Sequence, residues 1–95
     1  MLDLEQLWEK YSDEFLKFNR VQNKLSSRAD LHAFLLLDRL LPGDEDIVAC
    51  AEHDEIWLSF DTSELAKVIT EEQVVELIRC GIRYDGANNS LSSFV

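Results

Sequence analysis

The feature that most constrains this chain is the run IVACAEHDEIWLSF, residues 47–60. Two short segments rich in strand-forming residues flank His53-Asp54, which predicts a β-hairpin with strands at 47–52 and 55–60. Closing it at His53-Asp54 pairs Ala51 with Ile56, Ala49 with Leu58 and Ile47 with Phe60. That face is small against large and wholly apolar, a face that packs well. The opposite face pairs Cys50 with Trp57, Val48 with Ser59 and Glu52 with Glu55. If helices cover the apolar face, Trp57 looks outward with Cys50 and Val48 beside it, ringed by Glu52, Asp54 and Glu55. An aromatic anchor inside a polar rim is the pattern of a protein interface. Val48, Cys50, Glu52, Asp54, Glu55 and Trp57 are therefore the expected partner-binding residues.

The hairpin lies in a strongly acidic stretch. Residues 44–76 hold eleven acids against one base, Lys67, which equals the whole formal charge of −10. Charge of this sign argues against direct contact with nucleic acid or anionic membrane, whose binders display basic patches. It favours solubility and fast association with a protein partner of basic or mixed surface. A row of acids at phosphate-like spacing would instead mimic DNA and occupy a nucleic-acid-binding cleft.

Elsewhere the pattern is helical. Leu4, Leu7, Trp8, Tyr11, Phe15 and Phe18 recur at spacings of three and four, predicting one amphipathic helix over residues 2–22. Its aromatic stripe reads as core, or as the seam of a homodimer. Residues 23–26 read as a connector. Ser27 with Asp30 resembles a capping box and starts a second helix running to about Leu41, ended by Pro42-Gly43. That helix is apolar on more than one face and is expected to be the most buried. After the hairpin, Asp61, Thr62 or Ser63 caps a short helix with Leu65, Val68 and Ile69 inward. Thr70-x-x-Gln73 caps another, with Val74, Leu77 and Ile78 inward and Gly81 just past its end. Ile82–Asp85 and Leu91–Val95 complete a small antiparallel sheet around the turn at 86–89. The expectation is one α+β domain: two N-terminal helices, a β-hairpin, a short helix pair and a C-terminal hairpin, with helices covering the sheet.

No catalytic motif stands out. Cys50 and His53 have C-x-x-H spacing, but zinc needs four closed ligands and no second pair exists. No G-x-S-x-G or glycine-rich phosphate loop is present. The reading is non-enzymatic, with no metal and no cofactor. The N-terminus lacks a signal-peptide pattern and no apolar run reaches membrane-spanning length, so a cytoplasmic protein with reduced Cys50 and Cys80 is expected.

The pieces AEHDEIWLSFD, TEEQVVELIRCGIRYD and SLSSFV resemble the C-terminal half of short uncharacterised proteins of tailed bacteriophages, over about residues 27–95. His53-Asp54-Glu55-Ile56 and Arg79-Cys80-Gly81-Ile82-Arg83-Tyr84 carry the likeness. The resemblance implies a small phage accessory protein made in a bacterial host cytoplasm, acting by binding and blocking a host or defence protein.

Overall fold

The computed structural model describes residues 1–94; Val95, the expected last residue of the final strand, lies outside them. The fold is α+β, with four α-helices on a four-stranded antiparallel sheet. Helix α1 spans Leu4–Lys10, α2 Ala29–Leu40, α3 Thr62–Val68 and α4 Glu71–Arg79. Strands β1 (Val48–Glu52), β2 (Glu55–Leu58), β3 (Ile82–Asp85) and β4 (Ser90–Phe94) form a sheet of order β1-β2-β4-β3.

The first helix is much shorter than its apolar stripe. It ends at Lys10, and two short 3-10 turns follow at Ser12–Glu14 and Phe18–Arg20. A straight helix over residues 2–22 would be ~31 Å long, longer than any dimension of this 28 × 27 × 26 Å molecule. The chain instead folds back through Leu16, whose φ is +65° and whose N–H donates to the Ile78 carbonyl at 3.2 Å. Leu4, Leu7, Trp8, Tyr11, Phe15 and Phe18 all still pack into or against the core. The stripe identifies what is buried without identifying how.

Helix α2 starts one residue later than the Ser27 cap implies. Arg28 occupies its N-cap position with no side-chain cap bond, while the Ser26 hydroxyl accepts from Arg28 N–H. It buries His32, Ala33, Leu36 and Leu37 but leaves Leu31 and Leu35 exposed, so it keeps one open apolar face. Asp61 caps α3 by accepting from Ser63 and Glu64 N–H groups. Within α3, Val68 is exposed and Leu65 and Ala66 face inward. Thr70 and Gln73 form the expected reciprocal box at the start of α4. Gly81 follows its end at φ +91°, where a Cβ would stand 2.8 Å from Leu16 Cδ2.

Ile56, Leu58, Ile82 and Leu91 point from one face of the sheet toward Val74, Leu77 and Ile78 of α4. Each fully buried Leu or Ile there contributes about 1.5–3 kcal/mol. Helices α1 and α4 pack on each other and both lie against β3. The Trp8 indole N–H donates to the Ile82 carbonyl at 2.9 Å, so α1 covers the β3 side of the sheet. The β1 side has no such cover, and all five β1 residues are exposed.

Candidate functional site

The hairpin closes where the sequence predicts. His53 and Asp54 have φ of +51° and +65°, the doubly left-handed geometry of a type I′ turn that matches strand twist. Neither is the Asn or Gly such turns favour. The register sets Glu52 opposite Glu55, Ala51 opposite Ile56 and Cys50 opposite Trp57, as expected. It then shifts between Val48 and Cys50, and Val48 pairs with Leu58 in place of Ser59. An extra residue in one strand is a β-bulge, and a one-residue shift moves a side chain to the other face. Val48 thus leaves the Trp57 face, although it remains 41% exposed. Cys50, Glu52, Glu55 and Trp57 stay together on one face, and Asp54 projects at the tip.

The expected apolar face is only half covered. Leu58 is buried and Ile56 partly so, whereas Ala49 and Ala51 on the outermost strand are exposed. Trp57 is also more enclosed than an outward-facing anchor. It is partly buried, and its indole N–H donates to Asp85 Oδ2 at 2.8 Å. Asp85 sits on β3, so the indole reaches across β4. Asp85 accepts further from Asn88 Nδ2 at 2.7 Å and Ala87 N–H at 3.1 Å. These donors, Trp57 foremost, hold the Asp85 carboxyl below the usual range. Ser92, flanked by Trp57 and Arg83 in the register, is buried with no partner for its hydroxyl among the described residues. Glu55 pairs with Arg83 at 3.6 Å, and the Arg83 guanidinium lies 4.5 Å over the Phe94 ring. At the tip, Glu52 has His53 Nε2 at 3.4 Å.

A second polar cluster, which includes Arg79, lies outside the residues expected to bind a partner. Glu14 is nearly buried and accepts from Arg79 Nε at 3.0 Å and Nη2 at 2.5 Å on one oxygen, and from Arg20 at 2.6 Å on the other. The Arg79 bonds, then the Arg20 charge, hold its carboxyl below the usual range against the opposing effect of burial. Nearby, buried His32 accepts from Leu25 N–H at Nδ1, which leaves its proton on Nε2, 3.3 Å from Glu76. A cleft of about 860 Å³ runs past these groups. The pairs that join this cluster to α4, His32 with Glu76 and Glu14 with Arg79, are 44 and 65 residues apart in the chain, separations with no local signature. The cluster pins the irregular segment 12–28 to α4, and its charges are mutually satisfied.

Cys80 is buried, and desolvation followed by the Glu76 charge pushes its thiol up to about 12, so it is protonated at neutral pH. Cys50 is exposed, and both thiols are free. Among the described residues, no three His, Cys, Asp or Glu side chains converge to hold a metal ion. No described helix is long and apolar enough to cross a membrane. No protein-family model, curated protein or solved structure matches the chain.

Proposed function

We propose that this is a non-enzymatic accessory protein of phage type that binds an extended, lysine- or arginine-bearing segment of a host protein along β1. The observation that carries this reading is the condition of β1: an outermost strand, exposed at all five positions. An open strand edge is a template for adding another strand, with main-chain bonds giving affinity. Its apolar run Val48-Ala49-Cys50-Ala51 lies between Asp44-Glu45-Asp46 at one end and Glu52, Asp54 and Glu55 at the other. Basic residues flanking a short apolar centre complement that pattern. The resemblance of residues 27–95 to phage proteins supports the accessory role.

Two other readings find less support. A second copy on β1 would set acidic strand ends against acidic strand ends, and of the N-terminal aromatic residues Trp8 is buried while Tyr11, Phe15 and Phe18 are partly buried against the core. Mimicry of DNA needs a continuous row of unpaired acids. Glu55, Glu64, Glu71 and Glu76 face Arg83, Lys67, Lys10 and His32, and Asp61 caps α3.

The test is titration with the peptide acetyl-Lys-Lys-Val-Thr-Val-Lys-Lys-amide and a version with every lysine replaced by glutamine. The lysine peptide should bind and weaken as salt rises, and the double variant Glu52→Lys, Asp54→Lys should lose most of that binding. Equal binding of both peptides, or no effect of the charge reversal, would overturn the reading.

A further inference from the structure

At the opposite side of the sheet from β1, a cleft of about 570 Å³ opens between α1 and β3. Four of its ten lining residues are aromatic: Trp8, Phe15, Tyr84 and Phe94. Trp8 and Tyr84 stand 5.9 Å apart at a tilt of 41°. Glu5 and Glu9 complete the lining from α1. They are four residues apart on one helix, where like charges repel, and neither makes a salt bridge or side-chain hydrogen bond among the described residues. The Glu5 carboxylate rests over Gly86, with Oε1 3.2 Å from where a Cβ would stand, so the turn after β3 leaves room for it.

We propose that this cleft takes the side-chain ammonium of a lysine from a partner protein. Aromatic faces attract cations through their negative quadrupole, most strongly where water is partly excluded. Two carboxylates without counter-charges supply the complementary charge and repel an anion. The cleft already shows the first half of this chemistry internally, because the Arg83 guanidinium lies 4.5 Å over Phe94. Arg83 is itself balanced by Glu55, which leaves the Glu5 and Glu9 charges for an incoming cation. The lysine stem would lie on the rings and its head between the carboxylates. The hairpin enters only through Glu55 on Arg83, and β1 lines no part of the cleft, so this site stands or falls separately from β1.

The experiment uses Trp57→Phe protein, in which Trp8 is the sole tryptophan, titrated with Nα-acetyl-lysine methylamide and with the uncharged norleucine analogue. The lysine probe should change Trp8 emission with a Kd on the order of 1 mM, while the norleucine analogue gives no saturable change. Glu5→Gln with Glu9→Gln should weaken the lysine probe ~10-fold with the circular dichroism unchanged. Norleucine binding as well as lysine would show a merely apolar cleft. Unchanged affinity in the folded double variant, or no response to the lysine probe, would equally overturn the proposal. If the double variant does not fold, the comparison of the two probes on the parent protein still decides it.

Discussion

The Trp57 indole donates to the Asp85 carboxylate at 2.8 Å, crossing the whole width of β4 to do so. This bond ties the hairpin to the far strand of the sheet and holds the indole N–H of the expected interface aromatic against its own protein. The outermost strand β1 is left as the free feature of the hairpin. Trp57 itself is partly buried.

Trp57→Phe keeps the ring and removes the donor. Thermal melts should show a lower Tm at pH 7, with the sheet retained. Asp85 has a depressed folded pKa, so the stability it contributes is present above its ordinary value of 3.8 and is lost as pH falls through the folded value. The difference in Tm between parent and variant should therefore shrink below about pH 4.

Glu14→Gln tests the buried ion cluster in the same way. Its carboxyl is likewise held low, chiefly by Arg79. The parent should be the more stable protein at pH 7, and its advantage should fall away as pH drops below the ordinary glutamate value of 4.5. Chemical denaturation at pH 7 and pH 3 checks this. A constant difference at both would show that the carboxylate charge contributes nothing.

Gly81→Ala places a Cβ at φ +91° and 2.8 Å from Leu16 Cδ2. The two costs are separable. Leu16 is 66% exposed and its methyl can move aside, so the backbone conformation is the larger effect, about 1–2 kcal/mol. Urea unfolding should show that loss, and adding Leu16→Ala should recover little of it.

At the hairpin tip, two residues other than glycine hold left-handed backbone. Asp54→Gly relieves that conformation and removes one acid beside Glu52 and Glu55. It should stabilise the protein by about 0.5–1 kcal/mol. It should also slow association with the lysine peptide, since tip charge acts on encounter rate. Stopped-flow binding together with denaturant unfolding reads both effects.

What the sequence makes legible is local. The turn at His53-Asp54, the Thr70–Gln73 box and Gly81 past α4 each depend on residues within four positions of one another, and each forms as its chemistry predicts. What it hides is set at long range. The first helix stops at Lys10 in a chain whose next residues are held from α4: Tyr11 donates to Glu71, and Glu14 accepts from Arg79. Helix periodicity carries no trace of those partners. The shift that turns Val48 away from Trp57 is similarly silent, because a bulge adds one residue without altering composition. Asp85, which decides how far Trp57 is exposed, lies 28 residues beyond it.

The free edge of β1 is proposed to accept a strand. The two-residue turn makes Glu52 and Glu55 the hydrogen-bonded closing pair, so alternation turns the N–H and C=O of Ala51 away from β2. Amide hydrogen exchange at Ala51, with and without saturating lysine peptide, reads this directly. Exchange should be fast in the free protein and markedly protected in the complex, with no change at Arg83 on β3 and loss of peptide binding in Ala51→Pro. Unchanged exchange at Ala51 with bound peptide would contradict it.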